Sequence, residues 1–311
     1  MRVFLAGATG VIGRRLLPLL LAEGHEVTGM TRSTARVEQL RAVGAEAVVA
    51  DAFDAAALKR VVAEARPDAV IHQLTSIPPR IDPRKMERDF AVNDRLRTEG
   101  TANLVAAAKA AGVTRLLAQS VAFFYAPGPP GTVHDERDPL LRAEQAGPVK
   151  RSAEALGSLE RAALDAGGTV LRYGYFYGPG SAISREGSTG REVARGRLPI
   201  VGSGAGVWSF IHVDDAAAAT VAALGTGKQG VFNVVDDEPA RAADWIPELA
   251  RALGARGPRK VPALLARLVA GSYGVTLMTQ AQGASNALVK RELGWSPRYA
   301  SWREGFKLAL G

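Results

Sequence analysis

A glycine-rich segment near the beginning of the chain constrains the fold more than any other feature. Glycines at positions 7, 10 and 13 follow a run of β-forming residues at 2–6 and precede an apolar helical pattern at 11–23. A glycine turn between a strand and a helix lets the backbone approach a pyrophosphate and points the amino end of the helix at its charge. The segment therefore predicts a dinucleotide site, formed by Gly7, Thr9, Gly10, Val11, Ile12 and Gly13.

The first half of the chain continues this alternation of short β-branched runs and longer alanine- and leucine-rich runs. Strands are expected at 2–6, 25–30, 45–50, 69–74, 115–120 and 169–172, helices at 11–23, 33–43, 55–65, 84–111 and 149–165, and a proline-rich loop at 77–83. Such alternation is typical of a parallel sheet covered by helices. We predict an α/β fold: a Rossmann-type doubly wound parallel sheet over residues 1–175, with a small C-terminal substrate-binding lobe at 176–311 interleaved with its edge.

Composition excludes several classes of function. The chain has 311 residues, no cysteine and a formal net charge of +8. Without cysteine there are no disulfides and no thiolate chemistry, which fits a cytoplasmic protein. The basic residues are scattered among acidic ones, so we expect no nucleic-acid partner. No apolar run reaches membrane-spanning length, so we expect no membrane partner. The positive charge suits an anionic dinucleotide or substrate.

The residues after the second predicted strand bear on the choice of dinucleotide. NAD sites usually place an acid there to bind the ribose 2′-hydroxyl, whereas NADP sites replace it with a cation for the 2′-phosphate. Here Arg32 and Ser33 follow the strand, and the next acid is Glu38. We therefore expect NADP, with NAD as the alternative cofactor. A solvated arginine at the beginning of a helix would also explain Arg32.

Several motifs spread along the chain resemble one known family. The glycine turn has the spacing G-x-x-G-x-x-G, residues 210–216 read FIHVDDA, and residues 293–297 read LGWSP. These motifs are similar, in the same order, to those of extended short-chain dehydrogenases/reductases, which include the NAD-dependent epimerases and dehydratases. The resemblance covers nearly the whole chain and implies an NAD(P)-dependent oxidoreductase acting on a small carbonyl, alcohol or sugar-like substrate.

The resemblance also implies cofactor contacts beyond the glycine turn. Residues 100–104 are similar to the family's fourth-helix motif, although the usual asparagine is displaced, because Asn93 lies about one helical turn too early. A lysine at the position of Lys150 holds the ribose in this family. The other implied contacts are Asp51 and Ala52 at the adenine, Leu74 and Thr75 at the ribose, and Tyr173 in the segment that covers the nicotinamide.

The catalytic positions depart from the family pattern. A tyrosine four residues before the lysine normally transfers the proton, but Ala146 stands there, although Lys150 and Glu154 keep the family's spacing. Ser120, at the end of the fifth strand, is the candidate substrate contact, and Val121 follows where a second hydroxyl is expected. We therefore take Lys150, Ser120 and Tyr125 as the catalytic candidates.

Three hypotheses remain open for the missing tyrosine. Another group supplies the proton, with Tyr125, His134 and Tyr173 as candidates. Alternatively, the substrate needs little general-acid help. In the third hypothesis the chain binds NADP(H) without turnover, as a sensor or scaffold. Buried tyrosines more often pack than transfer protons, so each candidate also has a purely structural explanation. Nucleotide-sugar epimerase or dehydratase chemistry is the enzymatic alternative, although it usually requires the tyrosine.

The second half of the chain carries weaker signals. We expect Asp214 or Asp215 to cap a helix rather than bind a metal with His212, and we expect no metal site. The arginines of residues 185–197 could meet substrate phosphates or form a solvated face. The apolar segment 261–277 is a lid, a dimer face or, by default, part of the core. The family resemblance implies a homodimer formed through the helices at 84–111 and 149–165.

Overall fold

Seven parallel strands form one central sheet in the computed structural model, which describes residues 1–78 and 81–310. We label them in chain order: β1 (Arg2–Ala6), β2 (Glu26–Thr31), β3 (Glu46–Val49), β4 (Ala69–His72), β5 (Arg115–Val121), β6 (Thr169–Tyr173) and β7 (Gly230–Val234). Their spatial order is β7-β6-β5-β4-β1-β2-β3. The order reverses direction between β1 and β4, which is the Rossmann arrangement. The predicted fold class is confirmed. Pro79 and Arg80, in the predicted proline-rich loop, lie outside the described residues.

Twelve α-helices are found in the described residues: α1 (Gly13–Ala22), α2 (Val37–Ala42), α3 (Ala55–Ala65), α4 (Met86–Arg95), α5 (Thr101–Ala110), α6 (Lys150–Asp165), α7 (Ser188–Ala194), α8 (Val213–Thr226), α9 (Ala242–Ala252), α10 (Ala263–Thr279), α11 (Ala287–Leu293) and α12 (Trp302–Leu310). Apolar residues of α1, α2, α8 and α11 pack on one face of the sheet. Those of α3, α5 and α6 pack on the other face. The sheet is buried on both faces, which explains its continuous apolar strands.

Most boundaries of helices and strands follow from local sequence patterns. Asp54 caps α3 as predicted, because its Oδ1 accepts a hydrogen bond from the N–H of Ala57 at 2.9 Å. The predicted helix at 33–43 begins with a 3-10 turn, Thr34–Arg36. The predicted long helix at 84–111 is α4 and α5 joined by a π-helical turn, Leu96–Gly100. Such turns are rare and are frequently found at functional sites.

The remaining residues form a small lobe with an aromatic core. Its large buried rings are those of Tyr177, Trp208, Phe210, Trp245, Trp302 and Phe306. Short strand pairs frame this lobe: Tyr175–Tyr177 with Phe210–His212, Ile200–Val201 with Lys260–Val261, and Val207–Trp208 with Ala240–Arg241. The strand β7 belongs instead to the central sheet, beside β6. Residues before and after position 175 therefore both contribute strands to the central sheet, and the predicted domain boundary at 175 stays a prediction.

The default prediction for segment 261–277, core packing, was wrong for one face of α10. Leu264 is 78% exposed and Leu268 is 76% exposed, and Leu265 and Val269 are exposed beside them. Apolar composition does not show on which side of a helix the rest of the protein lies. Gly271 interrupts α10 with a φ of +68° and a ψ of 179°. Among residues 1–78 and 81–310, no helix combines the length and the apolar character needed to cross a membrane.

Candidate functional site

The glycine turn lies at the carboxyl end of β1 and is too tight for side chains. A Cβ on Gly7, whose φ is +94°, would lie 2.6 Å from the carbonyl oxygen of Gln73. A Cβ on Gly13 would lie 2.2 Å from the carbonyl oxygen of Gly7, which also accepts a hydrogen bond from the N–H of Gly10 at 3.0 Å. The cradle therefore requires glycine at both positions. Thr9, Val11 and Ile12 complete it before α1 begins, and its shape suits the close approach of a pyrophosphate.

The segment after β2 brings one arginine, Arg36, to this turn and exposes another, Arg32, at the strand end. Arg32 is exposed, and the N–H of the neighbouring Ser33 donates to Oγ1 of Thr31 at 3.2 Å. The 3-10 turn that follows returns the chain, so Nη1 of Arg36 donates to the carbonyl oxygen of Thr9 at 3.2 Å. Sequence reasoning missed Arg36, because its contact with Thr9 depends on the 3-10 turn at Thr34–Arg36, which the sequence did not predict. The edge where a ribose 2′-substituent lies in Rossmann proteins is therefore cationic.

Two more predicted contacts follow β3 and lie at the same edge of the sheet. Oδ1 of Asp51 accepts a hydrogen bond from the N–H of Phe53 at 3.0 Å. Ala52 is buried, and its carbonyl oxygen accepts from Nδ2 of Asn103 at 2.9 Å. The guanidinium of Arg95 lies 3.9 Å from the centre of the Phe53 ring. These contacts fix the backbone of the loop where the resemblance places the adenine.

The predicted ribose contacts follow β4. Leu74 is half-buried and Thr75 is exposed. The N–H of Leu74 donates to Nδ1 of His72 at 3.2 Å, which holds the beginning of the loop against the strand end. Because β1, β2, β3 and β4 are parallel neighbours, their carboxyl ends meet at one edge. The structure therefore brings the predicted cofactor contacts of residues 7–13, 32–33, 51–52 and 74–75 together.

The hydroxyls of Ser120 and Tyr125 belong to a buried hydrogen-bond network. Oγ of Ser120 donates to Oε1 of Glu160 at 2.6 Å, and Glu160 forms an ion pair of 2.7 Å with Arg172. The hydroxyl of Tyr125 accepts from Nη1 of Arg172 at 2.9 Å and donates to Oδ1 of Asn233 at 2.6 Å. Burial raises the pKa of Tyr125. The structure thus gives both hydroxyls partners within the protein, and the catalytic roles expected for them stay predictions.

The other two proton-donor candidates are also engaged. Tyr173 is 1% exposed, and its hydroxyl lies 3.0 Å from Nε2 of Gln73 and 2.7 Å from Oγ1 of Thr220. Burial raises the pKa of Tyr173 to about 12, and the ring packs in the core; its predicted contact with the nicotinamide stays a prediction. The ring nitrogens of His134 lie 2.9 Å from Oδ2 of Asp138 and 2.8 Å from Oε1 of Gln282. Both side chains therefore already have hydrogen-bond partners within the protein.

Lys150 and Ala146 do not share a helix face. Lys150 is the first residue of α6 and is exposed, whereas Ala146 lies in a preceding 3-10 segment and is buried. Gly147, with a φ of +47°, and Pro148 separate them. A proline disfavours helical geometry in the residue before it, so α6 cannot extend back to position 146. The i to i+4 arrangement expected from the family is therefore not formed, and a ribose contact for Lys150 stays a prediction.

A cavity of about 280 Å³ occupies the place where the family's tyrosine is expected. Its walls are mainly apolar and aromatic, and they come from the segment after β5, the segment before α6 and the end of α10. The ring of Phe123, one of the walls, stacks on Tyr175 with 4.1 Å between ring centres, and Tyr175 stacks on Trp208 at 4.0 Å. The lining includes Phe123, Phe124, Tyr125, Leu141, Gln145, Ala146, Val149, Tyr273, Leu277, Gln280 and Gln282.

Another cavity, of about 320 Å³, is lined by Arg2, Pro67 and Asp68 at the opposite edge of the sheet. Ligands of open parallel sheets bind at the carboxyl ends of the strands, and this cavity lies at the amino ends of β1 and β4. We therefore give it no functional role.

The helix cap at the beginning of α8 differs from the prediction. Nδ1 of His212, not an aspartate, accepts the hydrogen bond from the N–H of Asp214 at 3.2 Å. The carboxylate of Asp215 instead accepts from the N–H groups of Arg298 and Tyr299, both at 2.9 Å. Asp215 thus joins α8 to the C-terminal segment. The family signature at 210–216 serves the structure of the lobe junction.

Comparison with known proteins agrees with this geometry. The model of the NAD dependent epimerase/dehydratase family matches residues 3–234. A 3-diazoavenalumate denitrifying reductase from a Streptomyces species is 48% identical over 309 residues, covering 98% of this chain and 99% of that protein. A human epimerase family protein with NADPH superposes with a TM-score of 0.75 at 22% identity, covering 99% of both chains. Thermus thermophilus UDP-glucose 4-epimerase in complex with NAD superposes with a TM-score of 0.76 at 24% identity, covering 99% of this chain and 97% of that chain.

These findings confirm the predicted family and agree with the predicted nicotinamide dinucleotide cofactor and oxidoreductase class. The family match spans the glycine turn and the strands of the central sheet. The chain belongs to the NAD dependent epimerase/dehydratase family.

Proposed function

We propose that the protein is an NADPH-dependent reductase that removes the diazonium group of an aromatic acid. The observation that carries this proposal is the apolar cavity at the position of the missing tyrosine, with Ala146 and Phe123 in its walls. The relative that is 48% identical over almost the whole chain is a denitrifying reductase of a diazo compound, which supports the same reaction class.

The apolar cavity suits a substrate whose reduction needs no proton donor. A carbonyl that receives hydride develops negative charge on oxygen, which the family's hydroxyls neutralise. Here the two hydroxyl positions hold Ala146 and Val121, and Ser120 donates to Glu160. A diazonium group is already cationic, so hydride makes it neutral. Of the three hypotheses for the missing tyrosine, this selects the one in which general-acid help is not required.

The proposed reaction balances without another reactant. NADPH, held by the glycine turn and Arg36, would supply a hydride. Addition of that hydride to the terminal nitrogen of the aryl diazonium would give an aryl diazene, which loses N₂ and keeps its hydrogen on the ring carbon, with NADP⁺ as the other product. The protein's part is to orient the ring and exclude water. The ring of Phe123, which lines the cavity and stacks on Tyr175, provides a flat aromatic surface for the ring of the substrate.

The arginines after β2 support NADPH over NADH. Arg32 is exposed at the end of β2, and Arg36 lies against the glycine turn through its bond to Thr9. Two guanidinia at this edge suit the extra phosphate of NADP, since guanidinium and phosphate form charge-assisted hydrogen bonds. An acid that would favour the ribose hydroxyl of NAD is absent between residues 31 and 37.

The test measures NADPH oxidation and N₂ release together, using a diazonium-substituted aromatic acid and a panel of carbonyl compounds. We expect one N₂ per NADPH with the diazonium compound and no turnover of the carbonyls. Because diazonium salts oxidise NADPH without an enzyme, Gly13→Val serves as the control, since its side chain would collide with the carbonyl of Gly7. Turnover of carbonyls alone would reject the proposal. NADPH binding without any turnover would favour the non-catalytic alternative.

A further inference from the structure

Arg97 is a buried arginine that the cofactor site does not use. It lies in the π-helical turn Leu96–Gly100 between α4 and α5, and it is only 6% exposed. Its position is one turn after Asn93, where the family's asparagine is expected from the sequence. Gly100 and Thr101, which follow it, keep the family motif.

The guanidinium of Arg97 has no partner among the described residues. Its Nε is buried without a hydrogen bond, and none of its nitrogens donates to a residue of 1–78 or 81–310. No carboxylate of these residues forms an ion pair with it. An arginine keeps its charge in a protein, and a buried charge without a partner is strongly unfavourable. Such a group needs an explanation, and a missing anion is the direct one.

The nearby acidic groups are occupied or only partly available. Asp94, one turn before Arg97 on α4, uses Oδ2 to accept a hydrogen bond from Ser152 at 2.8 Å, and its Oδ1 has no partner. Glu160 is committed to Arg172 and Ser120. Burial lowers the pKa of Arg97, and the charges of Asp94, Glu160 and Tyr273 oppose that change. Tyr273, one of the groups whose charge acts on Arg97, also lines the cavity.

We propose that Arg97 binds the carboxylate of an aromatic acid whose ring occupies the cavity beside Phe123 and Tyr273. This inference rests on the proposed function and names the group by which that substrate is recognised. The planar guanidinium matches a carboxylate with two parallel hydrogen bonds. The cofactor phosphates are expected at the glycine turn after β1 and at Arg36 after β2, whereas Arg97 belongs to the helical segment that follows β4.

The experiment is calorimetric titration of the protein saturated with NADP⁺, using cinnamate and its uncharged match cinnamamide as probes. Wild type is expected to prefer cinnamate. Arg97→Met should weaken cinnamate binding by about tenfold to a hundredfold, the range for a hydrogen-bonded charge, and leave cinnamamide unchanged. Arg97→Lys should keep part of the preference. Arg88→Met is the matched control, because Arg88 is exposed on α4 and pairs with its neighbour Asp89.

A second measurement separates this role from a structural one. A carboxylate-binding Arg97 is an unpaired charge in the free protein, so Arg97→Met should melt no lower than wild type. If Arg97→Met and Asp94→Asn both melt far below wild type, the pair is structural and the inference is overturned. Equal loss of cinnamate and cinnamamide binding, or no preference in wild type, also overturns it. A failed diazonium assay with carboxylate preference intact would reject the proposed function alone.

Discussion

Arg36 donates a hydrogen bond from Nη1 to the carbonyl oxygen of Thr9 at 3.2 Å, which joins the turn after β2 to the glycine turn after β1. The contact places a cation at the edge where Rossmann proteins recognise the 2′ position of the adenosine ribose. Arg32, four residues earlier, is exposed at the same edge. The pair connects two separate sequence signals to one ligand group.

We predict that Arg36→Ala and Arg32→Ala each weaken NADPH binding by about tenfold to a hundredfold, the range for hydrogen bonds to a charged group. NADH binding should change little, because the lost partner is the 2′-phosphate. Fluorescence titration with both dinucleotides measures this. Arg41→Ala is the control, since Arg41 is exposed and pairs with Glu38 at 2.8 Å. An equal loss of NADPH and NADH affinity would contradict the assignment.

The Ala146 position offers a prediction about the missing proton donor. Ala146 is 6% exposed and forms part of the cavity wall, so a larger ring there fills the space for the substrate. Ala146→Phe and Ala146→Tyr should both lower kcat/KM for a diazonium-substituted aromatic acid by about fivefold to a hundredfold, because fitting the substrate beside the added ring would cost about the 1–3 kcal/mol typical of overpacking. The two variants differ only by a hydroxyl. Higher activity of the tyrosine variant than of the phenylalanine variant would show that a proton donor is needed after all.

How far the sequence predicts the structure depends on the range of the contacts involved. The sheet, the glycine turn and the loops after β3 and β4 follow from local patterns, because parallel strands bring their carboxyl ends together. The hydrogen-bond partners of the Ser120 and Tyr173 hydroxyls do not follow from local patterns, because they are distant in the chain. Glu160 lies 40 residues after Ser120, and Thr220 lies 47 residues after Tyr173. Arg97 was overlooked because its burial depends on α6 and on a π-helical turn that has no simple sequence signature.

The Glu160–Arg172 ion pair is predicted to be important for stability. Both side chains are nearly inaccessible, at 5% and 6% exposure, and Glu160 also accepts the hydrogen bond of Ser120. Glu160→Gln would leave the guanidinium of Arg172 buried without its counter-charge, so we expect a loss of about 3–5 kcal/mol in the free energy of unfolding. Urea unfolding measures it. The control Glu99→Gln removes an exposed pair with Arg95 and should cost far less stability, because solvent screens exposed ion pairs. Similar losses for both variants would refute the prediction.

The burial of His72 leads to a prediction of how the stability of the protein depends on pH. It is 1% exposed at the end of β4, and its two ring nitrogens have different partners. Nδ1 accepts from the N–H of Leu74, so Nε2 carries the proton and donates to Oγ1 of Thr101 at 2.9 Å. Desolvation, and next the charge of Arg97, lower the pKa of His72 from 6.5 to about 4. The folded protein therefore favours the neutral form of the His72 ring.

Because the folded pKa is lower than the unfolded one, the stabilisation is present above pH 6.5 and is lost as the pH falls toward about 4. The difference between the folded and the unfolded pKa of His72 corresponds to a loss on the order of 3 kcal/mol in the free energy of unfolding. His72→Asn keeps an acceptor for the N–H of Leu74 and cannot be protonated in this range. Urea unfolding at several pH values across this window should therefore give a flatter profile for the variant than for wild type. Parallel profiles would mean that another group, such as His212, whose pKa burial also lowers, causes the acid sensitivity.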